Sequence, residues 1–160
     1  MGYRGNPRET GCLRAAFVPK GVEMTIEYTD EKRFSVADTE RLFKSVGWVS
    51  GEYPQRLHKA LMGSSTVFTA WDDGRLVGLV RVLDDGEMCA YVHYVLVDPE
   101  YHGRGIASEL VNRVKERYRD YLYIEVMPEE SKNAAFYERF GFSVMPDGVA
   151  MQIVNPGVRE

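Results

Sequence analysis

Apolar and polar positions alternate over residues 24–28, with the period of two that marks a short strand. From Ser35 the period changes. Val36, Leu42, Phe43 and Val46 fall on one side of a helix that closes near Gly47. Its opening, Ser35-Val36-Ala37-Asp38, resembles a capping box with Asp38 where Glu or Gln usually stands. Pro54 suits the first turn of a second helix, running to about Met62 and stopping at Gly63. Residues 66–71 and 75–83 then read as two strands joined at Asp72-Asp73-Gly74, with Asp73-Gly74 as the turn signal. A second turn, Asp84-Asp85-Gly86, leads into a third strand over 88–97, which completes an antiparallel meander.

Helical spacing returns at Ile106, Leu110, Val111, Val114 and Tyr118. The outer face and end of this helix are basic (Arg113, Lys115, Arg117, Arg119), which suits its negative pole. A strand over 121–126 and a short helix over 131–140, closed by Gly141, follow. Residues 142–145 and 149–154 are expected to pair as a hairpin around Pro146-Asp147-Gly148. The order predicts a mixed α+β fold around one central sheet, without internal repeat or interdomain linker. Residues 1–23 are rich in Gly, Pro and Arg and have no period, so they read as a loose extension of a domain spanning 24–160, with Met24 a candidate start.

Composition narrows the function. The 160 residues are 44% hydrophobic and 28% charged, as in a folded globular domain, and the net charge of −4 offers no basic footprint for nucleic acid or an anionic membrane. No apolar run approaches the ~20 residues that span a bilayer, and the N-terminus has no uninterrupted apolar stretch of a secretory signal. Cys12 and Cys89 stand far apart without a CxxC or His partner, which argues against a metal site and a disulfide scaffold and for a cytoplasmic protein.

The densest signal lies over 95–107. An apolar strand meets Asp98-Pro99, crosses Gly103 and Gly105, and opens straight into a helix. A helix N-terminus has unpaired N–H groups and the positive pole of the macrodipole, and glycines let a phosphate reach that backbone. The loop lacks the Gly-Lys-Ser/Thr ending of a nucleoside-triphosphate site and the third glycine of a dinucleotide site.

His102-Gly103-Arg104-Gly105-Ile106-Ala107 resembles motif A of the GNAT (Gcn5-related N-acetyltransferase) superfamily, Gln/Arg-x-x-Gly-x-Gly/Ala, and departs from it at His102. Asn133-Ala134-Ala135-Phe136-Tyr137-Glu138-Arg139-Phe140-Gly141-Phe142 resembles motif B of the same family. The resemblance covers roughly residues 24–154. It implies a single GNAT-like domain whose mostly antiparallel sheet splays between its fourth and fifth strands, flanked by helices. It also implies acetyl-CoA as cosubstrate, without a metal, and direct transfer to a primary amine of a small molecule or peptide. The pyrophosphate would lie on the N–H groups from His102 through Gly103, Arg104, Gly105 and Ile106 to Ala107. An N–H near Leu96 or Val97 would face the thioester carbonyl, Asn133 would bond the pantetheine arm, and Tyr137 would be the general acid. Relatives of this kind are often homodimers. The runner-up reading is an acyl-CoA-binding sensor or scaffold with little turnover.

The base is read from the residues themselves. An alkyl ammonium has a pKa of ~10.4, so a proton acceptor must help the amine attack. Tyr91 and His93, two apart, share a strand face, and His93 is the better candidate because an imidazole titrates near neutrality. Asp85 and Glu125 are the alternatives. Trp48, Tyr53, Trp71, Tyr94 and Met151 lie near the segments expected to build the acceptor end, where Asp84 and Asp85 are candidates to hold a cation.

Overall fold

The computed structural model describes residues 25–154. The expected extension, the start at Met24 and Cys12 lie outside them. Five strands form one sheet in the order β1-β2-β3-β4-β5: β1 (Glu27–Thr29), β2 (Thr66–Asp72), β3 (Arg75–Asp84), β4 (Cys89–Val97) and β5 (Tyr123–Val126). All neighbours are antiparallel except β4 and β5, which run parallel. Helices α1 (Val36–Ser45) and α2 (Pro54–Met62) cover one face, and α3 (Ile106–Arg117) covers the other. A short helix, α4 (Ala134–Glu138), follows β5 after a 3-10 turn over Ser131–Asn133.

Local chemistry accounts for these boundaries. Ser35 and Asp38 form the reciprocal capping box, and Gly47 takes the left-handed conformation (φ 72°) that closes α1. Asp73 and Gly74 both have positive φ, 44° and 79°, as a two-residue hairpin turn requires. Along α3 the expected apolar stripe is buried: Ile106, Leu110 and Val114 pack on the sheet and Val111 is buried beside them, each worth about 1.5–3 kcal/mol of burial. At the foot of α3, Tyr118 is 2% exposed, its hydroxyl 2.7 Å from Thr66 Oγ1 and 2.7 Å from Asp84 Oδ2.

Burial pushes the Tyr118 phenol up from 10.0 to about 12, with the neighbouring Asp84 acting in the same direction. The unfolded chain therefore ionises this group first, and stability present below pH ~10 is lost as pH rises toward ~12, by about 2–3 kcal/mol from Tyr118. Urea unfolding at pH 8, 10 and 11 should show a declining midpoint whose slope is shallower in Tyr118→Phe.

The expected C-terminal hairpin does not form. Its turn is present, with Gly148 N–H donating to Met145 O at 3.1 Å, but neither arm pairs as a strand. A hairpin needs a face to bury. Here Val149, Met151 and Ile153 are 83%, 89% and 88% exposed, so the alternation has nothing to pack against. The sheet thus ends, among the described residues, at β5.

Candidate active site

Strand β4 is paired to β5 only from Cys89↔Tyr123 to Val92↔Val126. The chain after Val126 leaves through Met127-Pro128, and proline has no N–H to continue a ladder. From His93 to Val97 the outer edge of β4 is therefore open. This is the expected splay. The Asp98 N–H donates to Val77 O across β3 at 2.8 Å, so by strand alternation the N–H and C=O of Val97 face the open edge. That distinguishes Val97 from Leu96, whose groups turn toward β3.

A cavity of about 560 Å³ occupies the opening. Val95, Leu96 and Val97 of β4 form one wall, and His102, Gly103, Gly105, Ile106 and Ala107 form the mouth. Asn133, Phe136 and Tyr137 close the far side. Gly103 (φ 75°) and Gly105 (φ 79°) are left-handed, and a Cβ on either would enter open space. Gly105 is the N-cap of α3, and no side chain caps that end. The first-turn N–H groups thus face a cradle with the charge preference of an anion site. Gly78 holds the cradle close to the sheet: a Cβ there would lie 3.1 Å from Ile106 Cγ2 and 3.3 Å from Leu96 O.

Two side chains of the glycine loop are turned elsewhere. His102 Nε2 donates to Val97 O at 2.9 Å, which ties the loop to the edge strand and takes that N–H from any ligand. Arg104 does not line the cavity; its guanidinium sits 4.8 Å from the Tyr101 ring centroid. What the glycine loop itself offers an anion is backbone; Ser108 and Arg139 also line the cavity.

Asn133, the N-cap of α4, and Tyr137 within it are four apart and line the same wall. The Tyr137 ring packs edge-on to Phe136 (5.0 Å) and Phe142 (5.7 Å). Burial pushes its phenol up to about 12, so it keeps its proton at neutral pH.

His93 lies outside the cavity lining, just beyond Val95 along β4. Between Arg81/Val82 the β3–β4 register shifts, with Arg81 opposite Tyr94 and Val82 opposite Val92, leaving His93 as the extra residue of a bulge. Tyr91 and His93 do share a face, with ring centroids 6.0 Å apart, and the bulge brings Tyr94 to it as well, 4.0 Å from His93. The Arg81 guanidinium lies 2.8 Å from His93 Nδ1. Arginine can only donate, so Nδ1 accepts and Nε2 carries the ring proton. Burial, then the Arg81 charge, pushes the imidazole below its usual 6.5.

The other candidates are occupied. Asp85 Oδ1 accepts from the N–H groups of Glu87, Met88 and Cys89, which holds its carboxyl below the usual range and makes it a loop organiser rather than a base. Asp84 accepts from Tyr118 and from the Gly86 N–H, so the expected cation pair is instead two turn-forming acids. Among the described residues no cluster of His, Cys, Asp or Glu could hold a metal. Glu125 stands beside Cys89, whose Sγ is 3.8 Å from its Oε2. Trp71 is core, its indole N–H bonded to Thr69 Oγ1 at 2.8 Å, and Met151 is on the exposed tail. Trp48 and Tyr94 do meet, at 5.5 Å, against Phe43; Tyr53 caps α2 beneath Arg56. Among the described residues no helix is long and apolar enough to cross a membrane.

A splayed mixed sheet with an uncapped helix at its open edge is the architecture that the GNAT resemblance implies, and the comparisons agree. Residues 33–142 match the acetyltransferase (GNAT) family model. The chain belongs to the GNAT family of N-acetyltransferases. It is 26% identical over 129 residues to the N-acetyltransferase ycf52 of Pyropia yezoensis, covering 78% of this chain and 74% of that one. It is also 26% identical over 150 residues to GCN5-related N-acetyltransferase 2, chloroplastic, of Arabidopsis thaliana, spanning 58% of that longer protein. The solved structure of a GNAT-family acetyltransferase from Streptococcus pneumoniae superimposes with a TM-score of 0.69 at 27% identity, over 83% of this chain and 98% of that one.

Proposed function

We propose that this protein transfers the acetyl group of acetyl-CoA directly to a primary amine, and that the 560 Å³ cavity holds the donor. The observation that carries the reading is the uncapped N-terminus of α3, opening beside two left-handed glycines into the same cavity as the free edge of β4 and Tyr137. The backbone from Gly103 to Ala107 suits the pyrophosphate. Asn133 stands on the wall where the pantetheine arm would run, and Ile106 and Arg104 act through the backbone rather than as side-chain ligands.

The residues then divide the chemistry. The Val97 N–H, on the open edge, stabilises the oxyanion as the amine attacks; a preorganised donor of this kind is worth about 3–4 kcal/mol. Tyr137 donates to the departing sulfur. Its phenol, at about 12, lies well above a thiol's ~8.5, so it supports the thiolate by hydrogen bonding as charge builds rather than protonating it early. His93 takes the proton released by the amine. Its basic lone pair is on Nδ1, which becomes available when Arg81 turns from it. His93→Gln should therefore lower kcat at pH 7 by roughly 10²-fold, with acetyl-CoA affinity held.

The test is free-thiol release from acetyl-CoA with a panel of amines. Saturable release with at least one amine is expected. Binding of CoA without release for any amine would favour the acyl-CoA sensor, and no binding would overturn both.

A further inference from the structure

Arg81 is a half-buried cation on the α1/α2 face of β3, and among the described residues no carboxylate pairs with it. Its partners are neutral. Nε donates to Ser64 Oγ at 2.7 Å, one Nη1 donates to His93 Nδ1 at 2.8 Å, and the guanidinium carbon lies 5.6 Å from the Tyr94 ring centroid. Burial without a counter-ion pushes even this group below the usual arginine range. Other arginines here are treated differently: half-buried Arg41 and exposed Arg75 both reach the buried Asp98. A second cation with no carboxylate partner among the described residues stands at the same corner, where the Lys32 ammonium donates to the carbonyls of Met62 and Ser64.

A partly desolvated charge left without a counter-ion is costly, and a ligand carboxylate would supply the missing partner. Among the described residues Nη2 and the remaining Nη1–H have no acceptor, and together they form the guanidinium edge that grips a carboxylate bidentately. This edge lies on the strand pair that carries His93 and, further along β4, the open cavity wall at Val95. We propose that Arg81 is an anion-recognition residue for the acceptor, so that the acetylated amine belongs to a molecule carrying a carboxylate close to the amine, as in an amino acid. Arg81 is then also the switch for His93. When the substrate carboxylate draws the guanidinium onto itself, Nδ1 loses its hydrogen bond and its lone pair is freed to accept the ammonium proton.

This inference rests on the acetyltransfer reading, and the experiment separates the two. Thiol release is measured for a set of amino acids and for the primary amide of each, with wild type, Arg81→Gln and Arg81→Lys. The acid-to-amide ratio of kcat/KM should be at least 10 in wild type, near 1 in Arg81→Gln and intermediate in Arg81→Lys, which keeps the charge but not the fork. A wild-type ratio near 1, or a ratio unchanged in Arg81→Gln, would overturn the anion site while leaving acetyl transfer intact. CoA binding by each variant reports that it is folded. If no amine gives release, N-acetylglycine is titrated in the presence of CoA with tryptophan fluorescence as the readout. A saturable change lost in Arg81→Gln supports the site, and no change, or one insensitive to the substitution, overturns it.

Discussion

Replacing Tyr137 with Phe should lower kcat about 10²-fold while leaving the Kd for acetyl-CoA within roughly twofold. The ring itself is held by Phe136 and Phe142, at 5.0 and 5.7 Å, and these contacts survive the loss of the hydroxyl. Only the O–H is removed, and a hydrogen bond to a developing charge is worth about 1.5–3 kcal/mol, or roughly 10–150-fold in rate. Because burial keeps the phenol protonated to about pH 12, the defect should be constant across the neutral range and absent from binding. Pre-steady-state thiol release at saturating acetyl-CoA and amine reads the chemical step. A kcat within twofold of wild type would remove Tyr137 from the mechanism.

Gly105→Val should act at the other end of the cavity. Gly105 has φ 79°, where a β-branched residue is strained, and its Cβ would project into the open mouth beside the uncapped first turn of α3. Strain alone costs about 1–3 kcal/mol of stability. Occlusion of the cradle should weaken acetyl-CoA binding by at least 10²-fold, measured by calorimetry on protein shown to be folded. Gly105→Asn separates the two effects, since Asn tolerates the left-handed conformation. It should recover most of the stability and less of the binding. Wild-type affinity in Gly105→Val would mean that the loop backbone does not contact the donor.

Much of this architecture was legible because its signals are local. The Ser35/Asp38 cap, the Asp73-Gly74 turn and the stripe from Ile106 to Tyr118 each fix an element through neighbours in the chain. The departure at His102 was legible too, but not that its ring would be spent on Val97 O. The bulge at His93 was hidden, since an extra residue in β4 shows only against its partner β3; with it went the placement of Tyr94 on the His93 face. Arg81 carries no motif, and only the absence of a carboxylate around it among the described residues makes it conspicuous. The C-terminal hairpin failed for a related reason. Pro146-Asp147-Gly148 specifies a turn, but alternation at Val149, Met151 and Ile153 specifies a strand only where a face exists to receive it.

The central claim is that the backbone of residues 103–107 grips the donor through its pyrophosphate. It is tested most directly by calorimetric titration with acetyl-CoA and, in parallel, with acetyl-pantetheine, which keeps the thioester and the arm but lacks the pyrophosphate. Saturable binding of acetyl-CoA, at least 10²-fold tighter than acetyl-pantetheine, is the predicted result. Equal affinities for the two, or no binding of acetyl-CoA, would contradict it.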